Sequence, residues 1–214
     1  EEAYSAYVKR YRAVGMDIAE QAMEIAPAAH TSLGGVYARP DCSTSAEGLF
    51  VCGETLGGLH GANRIGGNAG LETMVFGRRA GRSAAAYMDT LSGEPADCAD
   101  EISDAAAMVN IDALRAELTK IVGGALGVIR EAGKLEQAKT ELERMLEQIP
   151  ESGCYAHQRL RNDTLTAYAV TLAALERKTS TGCHVRTDSA GEPEKYRVNI
   201  RCENGRAVPR RAEI

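Results

Sequence analysis

Gly57 to Gly81 reads GGLHGANRIGGNAGLETMVFGRRAG, a loop that feeds a helix. Five glycines from Gly57 to Gly67 surround His60, Asn63 and Arg64. Leu71, Met74, Val75 and Arg78 then recur at helical spacing, with Asn68 placed to cap a helix beginning at Ala69. Glycine lets backbone N–H groups come close to a ligand, and a helix N-terminus carries about half a positive charge. The pattern predicts an anion-binding turn at residues 66 to 71.

Upstream, Leu49 to Gly53 is a short apolar run bounded by glycine and reads as a buried strand, with Glu54 just past its end. Ligands of open α/β sheets collect beyond the carboxyl ends of strands, so Glu54 is a candidate binding group, a solvated loop carboxylate being the alternative. His30 stands in HTSLGGV, ahead of a double glycine that permits tight backbone approach. Arg64 offers a planar fork matched to a carboxylate, and its alternative is an internal pair with Glu54 or Glu72. His60 and Asn63 read as groups that shape the loop.

LFVCGET followed by HGANRIGGN, a helix and FGRRAG resembles the flavin-contacting segment of succinate dehydrogenase and fumarate reductase flavoproteins. These belong to the FAD-dependent oxidoreductase 2 superfamily, with L-aspartate oxidases and flavocytochrome-type fumarate reductases as relatives. The resemblance runs from His30 to RKTSTGCHVRTD and so covers most of the chain. It implies FAD as cofactor, with Glu54 on the ribityl chain. Asn68, Ala69, Gly70 and Leu71 would form the turn that faces the N1 and C2 carbonyl edge of the isoalloxazine. It further implies that His30 and Arg64 hold the carboxylates of a C4 dicarboxylate while a hydride passes between flavin and substrate. Ala69 and Gly70 depart from the serine and leucine usual in the family, and Thr181 replaces an arginine.

On this reading the chain is the C-terminal part of a flavoprotein subunit that interconverts fumarate and succinate. The polypeptide begins Glu-Glu-Ala and holds no strand followed by G-x-G-x-x-G, the loop that grips a dinucleotide pyrophosphate. The family's proton-shuttling arginine and the histidine that often binds FAD covalently lie in upstream portions, so no catalytic residue is expected in this chain and the isolated polypeptide is expected to be inactive, with FAD bound weakly or not at all. Its implied partners are the missing N-terminal portions of the same flavoprotein, with their FAD-binding and capping regions, together with an iron–sulfur subunit. Two rivals stand beside this reading: a non-catalytic docking module for such an electron-transfer subunit, and an L-aspartate oxidase-like enzyme. The GGN after Arg64 favours the dehydrogenase and fumarate reductase branch over the latter.

A chain of 214 residues with 44% hydrophobic content can bury a sizeable core. Its net charge of -5 argues against a nucleic-acid partner, and no apolar run approaches the roughly 18 residues of a membrane span. Cys42, Cys52, Cys98, Cys154, Cys183 and Cys202 lack metal-ligand spacing and read as reduced thiols of a cytoplasmic protein, peripheral to a membrane only through partner subunits.

The expected fold class is mixed α/β: a segment of an FAD-binding α/β domain (1–92), a linker (93–104), an antiparallel three-helix bundle (105–180) and a tail with a β-hairpin (181–214). A first helix over residues 3 to 14 should face the core with Tyr4, Tyr7, Val8, Tyr11 and Val14 and stop at Gly15. Gly70, Gly77, Gly81 and Ala84 form a small-residue stripe fit to pack against a sheet. In the bundle one stripe holds Ile111, Leu114, Leu118, Ile121, Val122 and Ile129 behind a cap at Asn110; a second holds Leu135, Ala138, Leu142, Met145, Leu146 and Ile149. The third, from Arg159 to Arg177, holds Leu160, Leu165, Tyr168, Leu172 and Leu175. Gly133 and Pro150 punctuate the helices. Gly123 to Gly127 sits within helical pattern and lacks phosphate-loop spacing. His184 and Arg186 read as packing or docking groups. Tyr196 to Arg201 alternates apolar and polar residues before a turn at Glu203-Asn204-Gly205, the signature of a hairpin completed by residues 206 to 214.

Overall fold

The computed structural model describes residues 5–26, 29–93, 109–151, 154–192 and 194–213. Most of the expected linker, together with Tyr4 and Cys98, therefore lies outside the described residues. The chain divides into two compact units, Glu1–Ser32 and Leu33–Ile214.

In the first unit, α1 spans Ser5–Arg12, and Gly15 follows with a φ of 84°. The expectation that this helix buries an apolar face is corrected: none of its residues is buried, and Tyr7 is 61% exposed. One two-turn helix has too little apolar surface around it in this unit to build a core.

In the second unit, residues 33 to 67 are loops tied by single bridges, Val36 to Leu56 and Ser43 to Phe50. The expected strand at 49 to 53 is thus only an isolated bridge, because the one neighbour it pairs with is the short loop at Cys42 to Thr44. Val51 is buried and donates its N–H to the Cys42 carbonyl at 3.0 Å. The long helix α2, Asn68–Met88, lies against this loop layer. Phe50 meets Tyr87 edge to face at 6.0 Å, and Arg79 Nη1 donates to the Pro40 carbonyl. The small-residue stripe is not packed as expected: a Cβ at Gly70, Gly77 or Gly81 would meet nothing within 4 Å, and Leu71 and Met74 are exposed.

Three helices supply the main core: α3 (Ile111–Ala125), α4 (Ala132–Gln148) and α5 (Tyr155–Glu176). Asn110 caps α3 by accepting the Ala113 N–H at 3.0 Å, as its position predicts. Leu114, Leu118, Ile121, Leu142, Met145, Ile149 and Leu160 form one buried cluster with Ala125, Ala138 and Ala167. Full burial of each large aliphatic side chain is worth about 1.5–3 kcal/mol. Two stripe residues fall elsewhere: Ile129 is 70% exposed beyond the end of α3, and Leu165 is 41% exposed on the outer face of α5. The interior of α5 uses threonine instead. Thr164 and Thr171 are fully buried, and each hydroxyl donates to a carbonyl one turn back, at Leu160 and Ala167. Gly123 and Gly124 lie inside α3, and Gly133 lies in the first turn of α4 rather than between helices.

Two small sheets complete the described fold. β1 (Ile129–Arg130) pairs in parallel with β2 (Val185–Arg186), joining the segment before α4 to the segment after α5. β3 (Tyr196–Glu203) and β4 (Arg206–Glu213) form the expected antiparallel hairpin, with Tyr196 opposite Glu213. Tyr196 is buried between two guanidinium groups, Arg177 at 4.2 Å and Arg211 at 4.7 Å from its ring centre. The result is a mixed helix and strand fold with five α-helices and two small sheets among the described residues. None of the described helices is long and apolar enough to cross a membrane.

Candidate functional site

The glycine pairs around the predicted site are explained by contact between main chains. A Cβ on Gly35 would lie 2.3 Å from the Thr55 carbonyl oxygen, and one on Gly57 would lie 2.8 Å from the Gly35 oxygen. Val36 N–H donates to Thr55 at 2.8 Å, and Gly57 N–H donates back to Val36 at 3.0 Å. The double glycine of HTSLGGV therefore seats directly on GETLGG. Glu54 is exposed on the 3-10 turn Gly53–Thr55 formed by that second segment.

From there the loop reaches α2. His60 Nε2 lies 3.3 Å from Glu72 Oε2, and Glu72 is buried. This pair ties the loop to the second turn of α2, so His60 shapes the loop as its position suggested. No ion pair joins Glu72 to Arg64 among the described residues. Arg64 is half-buried, and its Nε is buried without a hydrogen-bond partner among the described residues; Glu72 Oε1 is in the same condition. A buried polar atom without a partner costs stability.

At the start of α2, Gly67 is the N-cap, with a φ of 88°, and the helix begins at Asn68. Here the sequence expectation is corrected by one residue: Asn68 is itself the first helical residue, and the left-handed Gly67 before it turns the chain. The first turn holds no acidic residue. Asn68, Gly70 and Leu71 are exposed and Ala69 is half-buried; Asn68 N–H donates to the Ile65 carbonyl at 3.3 Å, which leaves the amides of Ala69 and Gly70 as the unpaired donors of this turn among the described residues.

A second segment closes on the same loop. Thr181 and His184 exchange backbone hydrogen bonds of 2.8 and 3.0 Å, making a tight turn with Gly182 and Cys183 at its tip. Cys183 N–H donates to the Ala62 carbonyl at 2.9 Å, and its Sγ lies 3.4 Å from Asn63 Oδ1.

The base of this turn is held by His184 and Arg186, both buried. Arg130 Nη1 donates to His184 Nδ1 at 2.9 Å, which leaves Nε2 to carry the proton and donate to the Arg177 carbonyl at 3.0 Å. Burial and three neighbouring arginines hold the His184 pKa below its usual value, so the ring is neutral. Arg186 Nη1 donates to the Ala174 and Arg177 carbonyls at the end of α5, and its other nitrogens grip Asp188 at 2.8 and 3.0 Å. Both side chains are committed to internal partners, which is the packing role.

His30 is an exposed coil residue of the first unit. Within the second unit, Glu54, Arg64 and residues 68 to 71 lie on consecutive parts of one glycine-rich connection into α2. The sequence reading named Glu72 only as an alternative partner of Arg64 and missed its pairing with His60, and it missed the docking of the 181 to 184 turn on Ala62 and Asn63, which has no local signal.

Residues 2–69 match the FAD binding domain family, and residues 115–199 match the Fumarate reductase flavoprotein C-term family. The chain is 35% identical over 206 residues to an uncharacterized FAD-dependent oxidoreductase of Methanocaldococcus jannaschii, covering 90% of this chain and 38% of that protein. It is 33% identical over 207 residues to a fumarate reductase (CoM/CoB) polypeptide of Methanothermobacter marburgensis, covering 88% and 38%. Against an L-aspartate oxidase of Mycobacterium leprae it is 35% identical over 184 residues, covering 83% and 32%. The chain thus spans less than two fifths of the length of these relatives. Among solved structures, Mycobacterium smegmatis Sdh1 in complex with UQ1 superposes with a TM-score of 0.78 at 29% identity, over 98% of this chain and 40% of that one. A quinol-fumarate reductase with menaquinol molecules gives 0.81 at 23% identity, over 99% and 42%, a likeness of fold.

Proposed function

Because the chain belongs to the fumarate reductase and succinate dehydrogenase flavoprotein family, whose cofactor is FAD, we propose that its parent protein interconverts fumarate and succinate or a similar C4 dicarboxylate. FAD, when bound, supplies the two-electron redox chemistry. The residues of this chain fit that group. Glu54 stands on an exposed turn suited to a ribityl hydroxyl, and the first turn of α2, Asn68 to Leu71, offers the amides of Ala69 and Gly70 to negative charge. Such a helix end stabilises a nearby anion by about 0.3–1 kcal/mol.

The single observation that carries the reading is the buried, unpartnered Nε of Arg64. A guanidinium held partly out of water with an unused donor is prepared for a bidentate carboxylate. We assign Arg64 to one carboxylate of the substrate, and His30, on its sequence motif, to another. The test is Arg64→Ala in the full-length protein. Dicarboxylate affinity should fall at least tenfold, as expected for a charge-assisted bond of about 1.5–3 kcal/mol, with FAD content unchanged. An unaltered affinity would end this assignment.

The same reading gives the finer organisation: residues 1–92 as part of the FAD and substrate domain, 93–104 as linker, 105–180 as an antiparallel three-helix bundle buttressing it, and 181–214 as a tail. The polypeptide alone is then inactive, and the parent docks an iron–sulfur subunit that holds it at a membrane face. Similarity to an L-aspartate oxidase favours one alternative, an amino-dicarboxylate substrate. Competition between succinate and aspartate for the full-length protein separates the two.

A further inference from the structure

We propose that the Thr181–His184 turn is a positioning element for the Arg64 loop, with Gly182 and Cys183 as its contact residues, so that the C-terminal half of the chain sets how tightly Arg64 grips its ligand. The proposal rests on the assignment of Arg64 to an anionic substrate. Three observations converge on it.

The first is contact distance. A Cβ on Gly182 would lie 2.2 Å from the Ala62 carbonyl oxygen and 2.5 Å from the carbonyl carbon, with Ala62 Cβ at 2.8 Å. Only a glycine fits there, and the obstacle is mainly backbone, which no rotamer change relieves. The second is conformation: Gly182 has a φ of 51°, the left-handed region that a turn closed at both ends by Thr181 and His184 demands at this position. The third is the pair of polar contacts, Cys183 N–H to the Ala62 carbonyl and Cys183 Sγ to Asn63 Oδ1, on the two residues immediately before Arg64.

The turn is itself rigid. Its base is fixed by His184, which bridges Arg130 at the end of β1 to the C-terminal end of α5. Displacement of α4 and α5 against the loop layer is therefore transmitted through four residues to Ala62 and Asn63. Arg64 gains its placement from this clasp on one side and from the His60–Glu72 pair on the other. A guanidinium that must meet a carboxylate with two parallel bonds tolerates little angular error, so loosening either side weakens binding.

The experiment compares full-length proteins carrying Gly182→Ala, Cys183→Ala, Gly205→Ala and Arg64→Ala. Gly205 has a φ of 74° and an added Cβ there meets nothing within 4 Å, so it reproduces backbone strain without touching the loop. Hydrogen exchange of residues 60 to 66 and succinate affinity are measured on each. The expected result is that Gly182→Ala speeds loop exchange about tenfold and weakens succinate about tenfold, while Cys183→Ala, which leaves the backbone unstrained, gives a smaller change in the same direction. Gly205→Ala changes neither. If loop exchange is unchanged in both Gly182→Ala and Cys183→Ala, the clasp is refuted. If exchange rises yet succinate affinity holds while Arg64→Ala abolishes it, positioning is refuted and the assignment of Arg64 survives. If exchange rises and Arg64→Ala has no effect on succinate, the assignment of Arg64 fails, and the link from clasp to ligand falls with it.

Discussion

Asp188 accepts the backbone N–H of Ala132 at 2.6 Å, so a carboxylate 56 residues further along the chain closes the N-terminus of α4. The same carboxylate is gripped by Arg186, whose remaining donors satisfy the last carbonyls of α5. One buried guanidinium thereby links the end of one helix to the start of another. Arg186→Leu removes the charge that Asp188 and two carbonyls rely on. The expected cost is about 1–3 kcal/mol, set by the buried Ala174 carbonyl left without its donor; the exposed Asp188 adds little. Thermal unfolding monitored by circular dichroism checks it, and a midpoint within a degree of the parent would contradict the role.

Within the helical core, Leu142 is fully buried and Leu165, on α5, is 41% exposed although both belong to apolar stripes. Leu142→Ala should cost about 2–5 kcal/mol through lost burial and the cavity left behind. Leu165→Ala should stay within about 0.5 kcal/mol, as for a surface position. Urea denaturation of the two variants distinguishes them, and equal costs would mean that Leu165 is covered in solution.

Stability should fall as the solution becomes more acid than about pH 6.5, through His184. Its folded pKa lies below the ordinary 6.5 because burial, first, and then the charges of Arg130, Arg186 and Arg177 oppose protonation. The unfolded chain therefore binds more protons in this window, and stability rises with pH there. The contribution is complete above pH 6.5 and is lost as the pH falls towards the folded value. Asp188, held well below the usual carboxylate range by its hydrogen bonds to Arg186 and Ala132, loses its contribution only at more acid pH. Denaturation midpoints from pH 7.5 to 5 should slope in the parent and flatten in His184→Gln; parallel slopes would assign the effect elsewhere.

Arg64→Lys keeps the charge and loses the fork. On the proposed function, dicarboxylate binding should weaken almost as much as in Arg64→Ala, because a point charge cannot reproduce two parallel bonds. Titration of the full-length protein with succinate decides this, and near-parental affinity would show that charge alone suffices.

Local signals made some of this fold legible and left other parts hidden. The hairpin was readable because Asn204-Gly205 and strict alternation from Tyr196 encode turn and pairing within 18 residues. The stripes of α3 and α4 were readable because burial there follows helical period. Ile129 was misread because the period continues past Ala125 while the helix does not, and Leu165 because α5 fills its interior with Thr164 and Thr171. The expected strand near Val51 and the buried face of α1 needed covering surfaces that local periodicity cannot supply. In the candidate site, the glycine-rich loop and the helix it feeds could be read from spacing, while the roles of Glu54 and Arg64 came from the family resemblance. The contact between Cys183 and Asn63 spans 120 positions and leaves no trace in either segment.

The contact between Gly35 and the Thr55 to Gly57 segment has a consequence for how this protein tolerates change. A clash between side chains can be relieved by shrinking one of them, so such positions drift together over generations. Here the obstacle to a side chain at Gly35 is the Thr55 carbonyl, and the obstacle at Gly57 is the Gly35 carbonyl, each present whatever residue occupies the site. Neither glycine has a suppressor at the other. The two positions are frozen independently, and a saturation library should find both intolerant with no rescuing pair.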